Sequence, residues 1–83
     1  MARIHVLFFA GLADAAGVRD AYVDVPDGEP VGELPARLVE RYPSLRARCA
    51  NVAYAVNAEY VTAEQPLSEG DEVALIPPVS GGC

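Results

Sequence analysis

The residues of this chain best suited to chemistry are its last ones, Gly81-Gly82-Cys83. Glycine carries nothing beyond hydrogen, so Gly81-Gly82 forms a backbone strip that is thin and free to take any angle. Such a strip can be threaded through a narrow channel to present a backbone carboxylate to another protein's active site. Pro77-Pro78 stiffens its base, and Val79-Ser80 lies between. A glycine-rich end is also what an ordinary frayed terminus looks like, so the pair alone decides nothing. Cys83 adds a terminal thiol, but a reactive thiol needs a depressed pKa and the neighbouring carboxylate pushes the other way. Cys49, close to Arg46 and Arg48, has cations that favour its thiolate, although a structural cysteine is the commoner reading. His5 has no Ser or Cys partner fixed by motif and reads as an exposed strand residue rather than a catalyst. Asp71-Glu72 after Gly70 reads as a turn-shaping pair, with metal binding the minor alternative. With a single His and no Cys/His cluster, no metal site is expected.

The whole chain must be one domain, because it has only 83 residues. A domain of this size buries roughly 60–65% of its unfolded surface, which allows one modest core and no deep catalytic cleft. That favours a carrier or accessory subunit over a self-sufficient enzyme, and no bound cofactor is expected. Net charge is −6, and every cationic side chain is an arginine; lysine does not occur. An acidic chain repels phosphate backbones and anionic lipid, so neither nucleic acid nor membrane is an expected partner. A basic or mixed protein surface is favoured instead, although net charge also serves plain solubility. The apolar run Ile4–Leu12 is too short to span a bilayer and lacks the pattern of a secretion signal. The expected compartment is cytoplasmic, with both cysteines as thiols.

The elements that must position the tail follow from periodicity. Ile4–Phe9 alternates, placing Ile4, Val6 and Phe8 on one face and His5, Leu7 and Phe9 on the other. Ala21–Val25 reads as a second strand closed by Pro26-Asp27-Gly28. Val31, Leu34, Leu38, Val39 and Tyr42 share helical spacing, which predicts one main helix over Val31–Tyr42, ended by Pro43. Pro35 fits there only if the first turn starts near Glu33. Val52–Asn57 and Glu59–Thr62 read as short strands, and 66–71 as a turn. Glu72–Ile76 is a last strand, with Val73 and Leu75 on one face and Ala74 and Ile76 on the other. Pro77-Pro78 then stops pairing. A hairpin, a helix and returning strands make a two-layer α+β domain.

The run Gly70-Asp71-Glu72-Val73-Ala74-Leu75-Ile76-Pro77-Pro78-Val79-Ser80-Gly81-Gly82 closely resembles the end of the molybdopterin synthase small subunits, the MoaD/ThiS-type sulfur carriers. Val6-Leu7-Phe8-Phe9-Ala10, Val56-Asn57, Tyr60-Val61 and Pro66-Leu67 resemble the same family, so the likeness spans nearly the whole chain. It implies a ubiquitin-like β-grasp fold, a mixed sheet of four to five strands on one main helix. The first and last strands would lie parallel at the centre. It also implies a globular part over 1–78 and a flexible tail over 79–83. By the same resemblance, an E1-like adenylyltransferase/sulfurtransferase uses ATP to adenylate the Gly82 carboxylate and converts it to a thiocarboxylate. The large molybdopterin synthase subunit, or another sulfur-accepting enzyme, then receives the tail through Gly81, Ser80 and Val79. Phe9, Tyr60 and Ile76 match positions of an apolar docking patch; scattered surface residues or a second small core are the alternative.

Carriers of this kind end at the second glycine, whereas Cys83 holds the Gly82 carboxyl in a peptide bond. The favoured explanation is a precursor from which a metalloprotease removes Cys83. A cysteine adduct formed on the carrier, or an engineered residue, would explain it otherwise. Alternative functions on the same frame are sulfur delivery for cysteine, thiamin, tRNA thiolation or a secondary metabolite, and ubiquitin-like protein modification. Without lysine the chain could not build lysine-linked chains on itself.

Overall fold

The computed structural model describes residues 1–9, 11–47 and 52–76, the side chains of Arg46 and Ala47 excepted. Ala10, residues 48–51 with Cys49, and residues 77–83 with the whole Gly-Gly tail lie outside the described residues. The expected boundary between 78 and 79 lies there too.

Strand β1 (Ala2–Phe8) alternates as its sequence demands: Ala2, Ile4, Val6 and Phe8 are buried, and the residues between them are not. A short helix α1 (Gly11–Ala16) follows and inserts Leu12 into the core. Strand β2 (Asp20–Val25) returns antiparallel to β1, with Ile4 opposite Val23 and Val6 opposite Ala21. The main helix α2 (Leu34–Arg41) places Leu34 and Leu38 one turn apart on its buried side. The single helix expected over Val31–Tyr42 is divided. Val31–Glu33 is a 3₁₀ turn, because the backbone N–H groups of Val31 and Gly32 donate to Gln65 and Ala63 at 2.8 and 2.9 Å. Pro35 then falls in the first turn of α2, where no intrahelical N–H is needed. Gly32 permits this close approach, since a Cβ there would stand 2.8 Å from the Ala63 Cβ.

Strands β3 (Ala53–Val56), β4 (Glu59–Val61) and β5 (Glu72–Ile76) complete a five-stranded sheet in the order β2-β1-β5-β3-β4. The expected arrangement holds: β1 and β5 are parallel neighbours at its centre, with Val6 beside Val73 and Phe8 beside Leu75. Both central strands are apolar because α2 covers one face and neither is an edge. Ile4, Val6, Val25, Val31, Leu34, Leu38 and Val73 are almost wholly removed from water. Phe8 meets Tyr42 edge to face at 5.8 Å, closing the core at the end of α2.

Two differences from the sequence reading have clear causes. Leu67, read only as part of a turn, is buried; its backbone exchanges hydrogen bonds with Gly28 and Glu29, and its side chain joins the core. Beside it the Arg37 guanidinium grips Glu29 with two contacts of 2.6 Å, holding that carboxyl below its ordinary pKa. Asn57, expected at the end of a strand, is instead the first of two turn residues with positive φ, 53° at Asn57 and 69° at Ala58. A two-residue turn of this hand suits the twist of the β3–β4 hairpin but strains an alanine. Ala58→Gly is expected to raise unfolding stability by about 0.5–1 kcal/mol, read by urea denaturation; a loss of stability would contradict the strained turn.

Candidate functional site

The sheet face away from α2 is built from the alternate residues left over by the core. Pairing places Leu7 of β1, Ala74 of β5, Ala55 of β3 and Tyr60 of β4 in one cross-strand row. In the next row Ile76 lies opposite Ala53. Phe9, one residue beyond β1, continues the alternation toward the end where β5 also finishes. Phe9 is 46% and Tyr60 72% exposed, while Leu7, Ala74 and Ile76 are half-buried. Ala55 is covered, yet it belongs to this face rather than to the core cluster. The three residues expected to form a docking patch thus lie on one face: Ile76 and Tyr60 by strand register, Phe9 by its position after β1. The side chains of Ala53, Ala55 and Ala74 between them are small, and Phe9 and Tyr60 are the large ones that stand exposed. Exposed aromatic side chains beside half-buried aliphatic ones suit protein docking.

The tail's attachment point is the end of β5, next to β1 at the centre of the sheet. Gly81, Gly82, Ser80, Val79 and Cys83 themselves are outside the described residues. What the structure gives is the exit: a central strand held by neighbours on both sides.

The opposite end of the same face is polar. His5 Nε2 lies 2.6 Å from Asp20 Oδ2 on β2, and its Nδ1 lies 3.4 Å from Glu72 Oε2 on β5. Tyr22 stacks on the imidazole with ring centroids 4.5 Å apart. His5, expected as a plain exposed residue, is therefore half-buried between two carboxylates. No local signal could have shown this, because both partners arrive through cross-strand register. Each ring nitrogen faces a different carboxylate, so the trio does not converge on a common ion. Among the described residues no group of His, Cys, Asp or Glu is placed to hold a metal. Asp71, as expected, shapes its turn, accepting from the Ser68 N–H at 2.8 Å and from the Asn57 amide at 3.0 Å. Glu72 differs: its side chain belongs to the His5 cluster.

The hydrogen bond to Asp20 raises the His5 pKa above its ordinary 6.5, helped by Glu72 and opposed by desolvation. The fold thus favours the protonated ring. Its stabilising effect is complete below the unfolded value and is lost as pH rises through the raised folded value. We expect an NMR titration midpoint for His5 above 6.5. The melting temperature advantage of wild type over His5→Gln should shrink as pH rises through that midpoint. A midpoint at or below the ordinary value would remove this ion pairing from the account.

Comparison with known proteins adds a second line. A model of the ThiS family matches residues 6–82, ending on Gly82. The chain is 39% identical over 83 residues to the molybdopterin synthase sulfur carrier subunit of Mycobacterium tuberculosis, covering 99% of this chain and 100% of that protein. The corresponding subunit of Chlamydomonas reinhardtii is 38% identical over 82 residues, covering 96% and 99%. Small archaeal modifier protein 1 of Haloferax volcanii is 37% identical over 82 residues, covering 89% and 94%. Among solved structures, a molybdopterin converting factor subunit 1 from Pyrococcus furiosus superposes with a TM-score of 0.84 at 29% identity, covering 95% of this chain and all of that one. Subunit 1 in a complex with subunit 2 of the molybdopterin-converting factor from Helicobacter pylori gives 0.66 at 25%, covering 96% and 99%. A ubiquitin from Caldiarchaeum subterraneum gives 0.65 at 14% identity over 98% of both chains, a likeness of fold alone.

Proposed function

The chain belongs to the ThiS family, and on that premise we propose that it is a sulfur carrier for molybdopterin synthesis, working through a thiocarboxylate on Gly82. The observation that carries this is the full-length identity of 38–39% to sulfur carrier subunits of molybdopterin synthase, with the family match reaching Gly82. Catalysis then belongs to partner enzymes, which accords with a domain whose apolar interior is occupied by packed side chains.

The chemistry runs in two stages. A carboxylate is a poor electrophile, so an E1-like enzyme uses ATP to form an acyl-adenylate at Gly82, releasing pyrophosphate. A sulfur donor displaces AMP and leaves a thiocarboxylate, a nucleophilic sulfur source. The large subunit takes the tail, uses the sulfur and returns Gly82 as carboxylate. ATP serves the activating enzyme, and this chain is read as binding no cofactor of its own. Phe9, Tyr60 and Ile76 are read as the docking patch, which the exposure of the first two supports. Cys83 must leave first, by a metalloprotease in this reading. Among the described residues no helix is long and apolar enough to cross a membrane; work in the cytoplasm accords with the reading.

The likeness to small archaeal modifier protein 1 favours a second reading, conjugation of Gly82 to amines of target proteins. One incubation tests the carrier reading: the chain with protease, E1-like enzyme, ATP and sulfur donor, read by intact mass. Loss of the cysteine followed by replacement of one oxygen by sulfur is expected. If Gly82 cannot be exposed or activated under any such condition, the carrier reading is wrong.

A further inference from the structure

Beside the proposed docking patch lies a hollow of about 410 Å³, lined by Leu7, Phe8 and Phe9 at the end of β1, Ala13 of α1 and Arg19 before β2. We propose that this hollow is a second docking point, with Arg19 as its anchor, for a carboxylate carried beside an apolar side chain on the large subunit. The proposal rests on the sulfur-carrier reading and adds to it a contact that the apolar patch does not supply.

Arg19 differs from the other described arginines. Arg3 pairs with Asp24, Arg37 grips Glu29, and Arg41 donates to the Tyr22 carbonyl. Among the described residues Arg19 has no such partner. It lines an adjoining hollow with Asp14 and Val18, yet forms no ion pair with that carboxylate. Its backbone is fixed, since the Arg19 carbonyl accepts from the Phe8 N–H at 2.8 Å. The guanidinium therefore starts from a rigid point above apolar walls. A carboxylate meeting it there would be shielded from water by Phe9 and Leu7, and a planar fork matches a carboxylate well.

Position and charge both select the occupant. Leu7 belongs to the row ending on Tyr60, and Phe9 lies at the end of the sheet where Ile76 closes β5. One partner surface can cover patch and hollow together. The chain's net charge of −6 repels polyanions such as nucleic acid, so a single carboxylate on a protein surface is the anion that fits. Phe9 beside it calls for an apolar neighbour on the partner.

The test titrates the large molybdopterin synthase subunit of the same organism into this chain by calorimetry. Both the 83-residue form and the form ending at Gly82 are used. Arg19→Gln is expected to weaken binding about tenfold and Arg19→Glu by about thirtyfold or more, with a shallower salt dependence for Arg19→Gln. Arg41→Glu carries the same charge change away from the hollow and should stay within about threefold of wild type. Circular dichroism checks the fold, and Arg19→Gln alone decides the matter should Arg19→Glu fail to fold. Equal affinities for the Arg19 variants and wild type, or equal losses for Arg19→Glu and Arg41→Glu, overturn the proposal. Failure of wild type to bind in either form would instead sink the sulfur-carrier reading itself.

Discussion

A chain shortened by one residue, to end at Gly82, is expected to be thiocarboxylated by an E1-like enzyme at least roughly a thousandfold faster than the 83-residue chain, a difference of about 4 kcal/mol in barrier. Adenylation needs a carboxylate oxygen to attack the α-phosphorus of ATP. With Cys83 present, the Gly82 carbonyl is an amide and has no such oxygen to offer. The only terminal carboxylate is then that of Cys83, whose side chain widens the strip that the glycines keep thin. Pyrophosphate release and intact mass follow the reaction directly. Equal rates for the two lengths, with sulfur appearing on Cys83, would show that Gly82 is not the reacting residue.

The second large effect concerns docking. Phe9→Asp combined with Tyr60→Asp is expected to weaken binding of the large subunit by about a hundredfold, about 2.7 kcal/mol. Both side chains already stand in solvent, so the carboxylates cost little in the free chain and oppose only the complex. The melting temperature should therefore stay close to wild type while affinity falls. Unchanged affinity would assign these residues to the ordinary scatter of apolar side chains on a protein surface. Loss of the fold would show instead that they stabilise the domain.

These effects depend on features that were unequally legible in the sequence. Ile4, Val6 and Phe8 alternate so regularly that β1 and its buried face follow from period two alone, and Val73 and Leu75 do the same for β5. That the two strands lie side by side and parallel at the centre of the sheet came from the resemblance, and the register bears it out. Turns were harder. Asn57 tolerates positive φ, but Ala58 is an unfavourable choice there, so the sequence does not announce two such residues in the turn after β3. Leu67 has no periodic neighbours, and only the backbone bonds to Gly28 and Glu29 explain its burial.

The site divides in the same way. Parity placed Ile76 and Phe9 opposite the core, while Tyr60 needed the β3–β4 register to join them. Asp20, His5 and Glu72 are widely separated in sequence and meet only because β2, β1 and β5 are neighbours. Arg19 was invisible for the opposite reason: its distinction lies in lacking a partner among the described residues, which appears only when the other arginines have theirs. The glycines of the tail carried their meaning through resemblance and composition, and their chemistry is a matter for experiment.

The most direct test of the account is a single turnover. The Gly82 thiocarboxylate is mixed with the large subunit and the pterin precursor, and the chain's intact mass and the isotope-labelled sulfur are followed together. Sulfur is expected to leave the chain, with Gly82 returning as a carboxylate and the label appearing in the pterin product. A chain that keeps its sulfur throughout, or that is recovered in amide linkage to lysines of other proteins, would contradict it.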